Sequence, residues 1–281
     1  VYNTDCQFAT KASLRKSLFD VLWPSDNAPP SAADPAAEPR AQSLAGTYMA
    51  VRRARSDFTV MGAAASQLTI KAQDQGKLLV HWPEAGRALL FLPRGDGTWI
   101  NPDFQLKAAA LADAQGQPSK FAIGIHVFER VAGSNEWSIW SAALGLVVVA
   151  SIIALWAWFT GFLSRRFLGE PQTIIKFWPR ATAFVAASLT LGCLVVMASL
   201  LEQSPPLAVF HGPSPLLTGL LATPIVVALL AIPMVIWSVG GFGDGTRARL
   251  AQVGYFALTV AILIFLAFAW QWGLHPFGLS R

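Results

Sequence analysis

The chain has 281 residues, 54% of them hydrophobic and 13% charged. That balance excludes an ordinary soluble domain and a disordered chain and points to a membrane protein. The net charge of +5 sits largely at the ends of apolar runs, where Lys and Arg set orientation, so it is not read as a nucleic-acid surface.

Val1-Tyr2-Asn3-Thr4-Asp5 reads as the end of a strand running into a turn. Thr10 then serves as N-cap to a short amphipathic helix in which Leu14, Leu18, Val21 and Leu22 share one face, with Pro24 ending it. A lone helix with one apolar face has nothing to pack on. Residues 1–23 are therefore expected to be the closing strand and helix of an upstream domain. The chain begins at Val1 without a leader-like segment, so it reads as the C-terminal part of a longer protein. Residues 24–43, with Pro24, Pro29, Pro30, Pro35 and Pro39, have a linker composition.

From 44 to 130 the pattern changes to short alternating runs broken by turn signals. Gln67 to Lys71 alternates, Asp74-Gln75-Gly76 turns and Lys77 to Val80 returns. Ala88 to Leu92, the turn Arg94-Gly95-Asp96-Gly97, Thr98 to Asn101 and Phe104 to Ala109 continue the meander. The turn Asp113-Ala114-Gln115-Gly116 leads to a last strand through Phe121, Ile123, Ile125 and Val127. This predicts a small antiparallel barrel or curled sheet, filled by its own side chains.

The remainder reads as four membrane spans, 137–163, 181–201, 215–239 and 250–272. The first has no charged residue between Glu136 and Arg165, more than the roughly 20 residues a helix needs to cross a bilayer. Trp137 and Trp140 at one end and Trp156 and Trp158 near the other suit the headgroup level, with Arg165 and Arg166 as a stop. The first connection carries Arg165, Arg166, Lys176 and Arg180, the second has no Lys or Arg, the third has Arg247 and Arg249, and after the fourth span only Arg281 is basic. The positive-inside rule then places the β domain and the C-terminus outside the cytoplasm of a bacterial inner membrane. The fold class is accordingly α+β: a small antiparallel β-barrel-like extracytoplasmic domain followed by a four-helix transmembrane bundle.

Chemistry-bearing motifs are few. Ser13-Leu14-Arg15-Lys16 has the Ser-x-x-Lys spacing of acyl-enzyme hydrolases, but no Lys-Thr-Gly or Ser-Asp-Asn accompanies it. His81, His126, His211 and His275 show no metal-ligand spacing, and Cys6 and Cys193 are too far apart in organisation to pair. Gly241-Phe242-Gly243-Asp244-Gly245 follows a span rather than a strand and reads as a turn. Pro224 and Pro233 mark a kink, Gly219 and Thr223 a close helix approach. The span cores lack the charged groups of a transport path.

Two regions resemble a known family. Val1-Tyr2-Asn3-Thr4-Asp5 with the helix Leu14-Arg15-Lys16-Ser17-Leu18-Phe19 is similar to the closing strand and helix of serine hydrolases of the β-lactamase and penicillin-binding-protein type, class C-like. Leu44-Ala45-Gly46-Thr47-Tyr48, Arg52-Arg53 and Val127-Phe128-Glu129-Arg130 resemble the β domain that follows the hydrolase domain in that family. Some relatives, membrane-bound D-amino-peptidases, add membrane helices, three where four are read here. The resemblance implies a parent enzyme that hydrolyses an amide, ester or peptide-like substrate through an acylated serine, with the nucleophile upstream of Val1. On that reading this sequence holds no catalytic, cofactor or metal site. Its partners are membrane lipids and the upstream hydrolase domain. The alternative is a non-enzymatic membrane protein whose β domain binds a ligand or partner.

Overall fold

In the computed structural model the described residues are 36–53, 60–115, 117–131, 133–167, 177–202, 215–240 and 246–274. The expected N-terminal strand and helix, most of the linker, Cys6, Ser13, Lys16, His211, His275 and the Gly241–Gly245 turn lie outside them. The chain divides into two units, one holding the strands and one the long helices.

Eight strands follow one another: β1 (Gly46–Ala50), β2 (Leu68–Gln73), β3 (Lys77–Trp82), β4 (Arg87–Pro93), β5 (Thr98–Asn101), β6 (Leu106–Ala112), β7 (Pro118–Ile123) and β8 (His126–Val131). Each pairs antiparallel with the next, and β8 returns to β1 to close the barrel. Tyr48 fixes the closure, lying opposite Leu68 on one side and Arg130 on the other. Closure removes the open sheet edges that would otherwise invite pairing with another chain.

Alternation along each strand decides what is inside. In β3, Leu78, Val80 and Trp82 are buried, whereas Lys77, Leu79 and His81 face outward. The interior is taken up by Tyr48, Leu68, Ile70, Leu78, Val80, Trp82, Leu89, Phe91, Trp99, Phe121, Ile123 and Phe128. Each large apolar side chain of this kind contributes roughly 1.5–3 kcal/mol on burial. Trp99, the largest polar-tipped group in the middle, donates its indole N–H to Gly76 O across 2.9 Å.

Three turns follow the residues read from the sequence, whereas the last predicted strand is two, β7 and β8, joined by a turn at Gly124 and Ile125. Gln75 and Gly76 both take positive φ, 62° and 71°, which glycine adopts without strain. Asp96 accepts from the Thr98 backbone N–H at 3.0 Å and from the Thr98 hydroxyl. These bonds hold the Asp96 carboxyl below the usual carboxylate range. Asp113 accepts from Gln115 N and Gln117 N, both at 2.9 Å.

One end of the barrel is closed by α1 (Ala37–Leu44), whose Ala37, Ala41 and Leu44 are buried. The end of the stretch read as linker is thus helix. Its alanines are too small to signal a core position in sequence, but small residues let the helix backbone lie close against the Gly76 turn. Tyr48 Oη donates to Leu44 O at 2.9 Å, and Arg130 donates to Ser43 O and Ala45 O. The last carbonyls of α1 thereby gain the partners that a helix end lacks. Burial pushes the Tyr48 phenol up from its ordinary value, partly offset by the Arg130 charge.

After β8 a single 3₁₀ turn, Gly133–Asn135, leads to the first long helix. Gln67, buried at the start of β2, donates to Asn135 O at 2.6 Å and accepts from the Trp137 backbone N–H at 2.8 Å. A short helix, α2 (Val60–Ala65), lies between β1 and β2 and buries Met61 and Ala64.

The second unit contains α3 (Trp137–Phe167), α4 (Phe177–Glu202), α5 (Pro215–Gly240) and α6 (Thr246–Gln271). All four are long and apolar enough to cross a membrane. Their ends reach beyond the apolar runs: α3 includes Arg165 and Arg166, and α4 begins at Phe177 with Pro179 in its first turn, where a missing N–H costs nothing. Helices α4, α5 and α6 pack on one another. In contrast, only 17% of the α3 window is buried, against 44% for α6, so α3 is the most outward of the four. It is held through Trp158, stacked on Phe184 of α4 at 4.3 Å, and Trp140, 5.6 Å from Phe268 of α6.

Candidate functional site

Up-and-down topology sorts the connections between the two barrel ends. The turns at 74–76, 94–97 and 113–117 lie at the end closed by α1, and those at 83–86, 102–105 and 124–125 at the opposite end. In small barrels such ends are where ligands or partners dock, and the second end carries a cluster of aromatic side chains.

Trp82, the last residue of β3, is buried, and His126 and Phe128 at the start of β8 pack edge-on against it at 5.4 and 5.7 Å. The near-perpendicular ring planes, 70° and 83°, are an arrangement favoured by the aromatic quadrupole. His126 is exposed, so the cluster is half core and half surface. Beside it Ile125, at the tip of the β7–β8 turn, is 82% exposed. The tight turn depends on Gly124, with φ of 57°.

Across the same end, Asn101 is buried and shapes the 102–105 turn. Its Nδ2 donates to Leu90 O at 2.8 Å and its Oδ1 accepts from Phe104 N at 2.9 Å. This sets Phe104 beneath Arg87, whose guanidinium carbon is 4.7 Å from the ring centroid. Arg87 Nη2 is also 3.6 Å from Asp103 Oδ2, both side chains being more than half exposed. A pair this wet contributes roughly 0–1 kcal/mol, so Arg87 retains a cationic surface. A second cation is bound up: Arg53 donates to Ala50 O and to Glu129 Oε1, locking the end of β1 onto β8.

Among the described residues this end offers aromatic edges, the exposed Ile125 tip and the exposed charged side chains of Arg52, Arg87 and Asp103. Of the residues singled out from the sequence, His126 belongs to this end, while His81 lies on the outer face of β3, opposite Thr69 and Ala88. Cys193 is buried in α4. Thr223 returns its hydroxyl to Gly219 O at 2.8 Å, and Pro224 and Pro233 lie inside α5. Among the described residues no three His, Cys, Asp or Glu side chains gather as metal ligands would. Gln67, Asn101 and the Trp82 cluster were not legible beforehand. The one available signal was polar residues at positions where strand alternation calls for apolar ones.

The fold defines a multi-pass membrane protein with a closed eight-stranded barrel. Comparison with family models, with curated proteins and with solved structures gives no match.

Proposed function

We propose that this chain is the accessory and membrane-anchoring region of a serine hydrolase related to the β-lactamase and penicillin-binding-protein type. The observation that carries the reading is the pairing of a barrel filled by its own aromatic side chains with four apolar helices. A filled barrel works through its surface, and spans without charged interiors hold a protein in place. The resemblance of the 1–19 and 44–48 segments supplies the hydrolase part. In that assembly an activated serine of the hydrolase domain is acylated by an amide or ester and water releases the product. The barrel and helices keep that domain beside membrane-linked substrates.

The loop charges support a bacterial inner-membrane orientation with the barrel outside. Arg165, Arg166, Lys176 and Arg180 flank one connection, and no Lys or Arg occurs from 203 to 214. A reporter fused after Arg281 is expected to be active outside the cytoplasm, and cytoplasmic activity would overturn the orientation.

The hydrolase reading is tested by reading the coding sequence upstream of Val1. A Ser-x-x-Lys about 300 residues before the linker supports it, whereas a start codon within a few dozen residues sinks it. The purified chain itself is expected to remain unlabelled by a fluorescent β-lactam or fluorophosphonate. A second reading, a non-enzymatic protein whose barrel recognises a partner, is favoured by the exposed Ile125 tip beside the Trp82 cluster. The start-codon outcome selects it.

A further inference from the structure

Arginine is costly inside hydrocarbon, and near the end of a span its long side chain carries the charged head back to the interface. Arg180 stands in that position. It is the fourth residue of the candidate span Phe177–Leu200, so at 1.5 Å per residue its Cα lies about 4.5 Å inside the apolar limit. Gly161 lies equally far inside the limit of the preceding span, Trp137–Ser164. The two residues meet: a Cβ built on Gly161 would come 2.9 Å from Arg180 Nη2 and 3.8 Å from its Cζ. The guanidinium therefore occupies the space where a side chain at 161 would stand, in the seam between α3 and α4.

Towards the membrane centre the seam continues as aromatic surface. Trp158, one turn from Gly161, stacks on Phe184 of α4 at 4.3 Å and on Phe162 of its own helix at 5.8 Å. Phe184 shares a helical stripe with Arg180 and Phe177. None of these side chains is fully buried: Trp158, Arg180 and Phe184 are partly covered, and Phe162 and Phe177 are exposed. A cation at the boundary is thus followed by rings open to the surroundings. That order, charge first and hydrocarbon after, matches a phospholipid with its phosphate at the boundary and an acyl chain below it.

Charge at this end of the bundle selects the anionic kind. From 164 to 180 the sequence has Arg165, Arg166, Lys176 and Arg180 against Glu170, which leaves three positive charges whatever Glu170 pairs with. Past the other end of α4, residues 203–214 include no Lys or Arg. Basic clusters beside a span attract anionic headgroups, each Lys or Arg near the surface contributing about fivefold in affinity.

We propose that the α3–α4 seam binds one anionic phospholipid, its phosphate held by the Arg180 guanidinium and an acyl chain laid against Phe162, Trp158 and Phe184. A guanidinium presents parallel N–H groups that match phosphate oxygens, and the missing side chain at Gly161 gives it room between the helices. The site belongs to the bundle alone and is indifferent to what precedes the chain.

Native mass spectrometry of the full chain released from detergent tests this, with phosphatidylglycerol and phosphatidylcholine of equal chain length as competing probes. The unaltered chain is expected to retain phosphatidylglycerol with at least about fivefold preference, and Arg180→Gln should lower that preference about fivefold. Arg249→Gln, which removes a cation from α6, should leave it unchanged. Equal retention of the two lipids by the unaltered chain, or the same fall in both variants, overturns the proposal. The unaltered chain also carries a test that needs no substitution, so the outcome stands even if Arg180→Gln is not recovered folded. A phosphatidylglycerol with a diazirine on its acyl chain is expected to label 158–162 and 181–184, and unlabelled phosphatidylglycerol should compete that label away where phosphatidylcholine does not. Inorganic phosphate at matched ionic strength should leave the label in place. Loss of label to inorganic phosphate, or competed label spread evenly over α5 and α6, refutes a lipid site in this seam.

Discussion

Ala37 rests directly on Gly76: a Cβ built on Gly76 would lie 2.5 Å from the Ala37 Cβ and 2.7 Å from its carbonyl carbon. Gly76 also has a φ of 71° and accepts the Trp99 indole hydrogen bond. One residue without a side chain thus serves the turn, the packing of α1 and the core. Gly76→Ala is expected to cost about 2–4 kcal/mol, from overpacking plus left-handed strain. Gly86→Ala, at a φ of 67° with nothing within 4 Å of its built Cβ, carries the strain alone and should cost about 1–2 kcal/mol. Hydrogen exchange of the 77–82 amides measures both, and equal effects would show that Ala37 does not bear on Gly76.

Tyr48→Phe should weaken the closed end of the barrel by about 1–2 kcal/mol, because it deletes a buried hydrogen bond and leaves Leu44 O without it. The same phenol gives the barrel an alkaline limit. Its pKa is raised on folding, chiefly by burial, so the stabilisation it contributes is fully present below the unfolded value near 10 and is lost as pH rises through the folded value. Exchange at the 46–50 amides should therefore accelerate above that pH in the unaltered chain more than in Tyr48→Phe. An identical pH response in the two would refute the linkage.

Gln67 uses both ends of its amide, and the two ends can be separated. Gln67→Glu keeps an oxygen to accept from Trp137 N but sets a carboxylate against Asn135 O, whereas Gln67→Leu removes both bonds. Each should loosen the 133–137 amides by about 1–3 kcal/mol, with the strand amides of β5 and β6 unaffected. Uniform loosening of the whole barrel would mean that Gln67 is a general core residue.

In the membrane bundle the Trp158–Phe184 stack and the Gly161–Arg180 approach should respond differently. Trp158→Ala removes a ring packed at 4.3 Å and is expected to lower thermal stability in detergent by about 1–3 kcal/mol. Gly161→Ala meets only the tip of the Arg180 side chain, which can swing aside, so it should change stability by less than about 1 kcal/mol. A larger loss at Gly161 would show that Arg180 is held rigidly.

The barrel and the four spans were legible because both rest on periodicity. Lys77 to Trp82 alternates with period two, and Trp137 to Ser164 has no charge over its length. The helix Ala37–Leu44 was hidden because its buried residues are mostly alanines inside a proline-rich stretch, and its stability comes from contact with Gly76 and Arg130, far along the chain. The Trp82–His126–Phe128 cluster was hidden for a related reason. Trp82 stands more than 40 positions from His126 and Phe128 and meets them only because the barrel closes.

Closure of β1 on β8 carries a further architectural meaning. Thr47 lies opposite Val131, at the roughly 5 Å spacing of paired strands, so the chain leaves the barrel beside the point where it arrived. Nearly ninety residues therefore add almost nothing to the reach between Ala45 and the turn that follows Val131. Excising 46–131 and rejoining the ends with a short glycine bridge would leave the span between them almost unchanged.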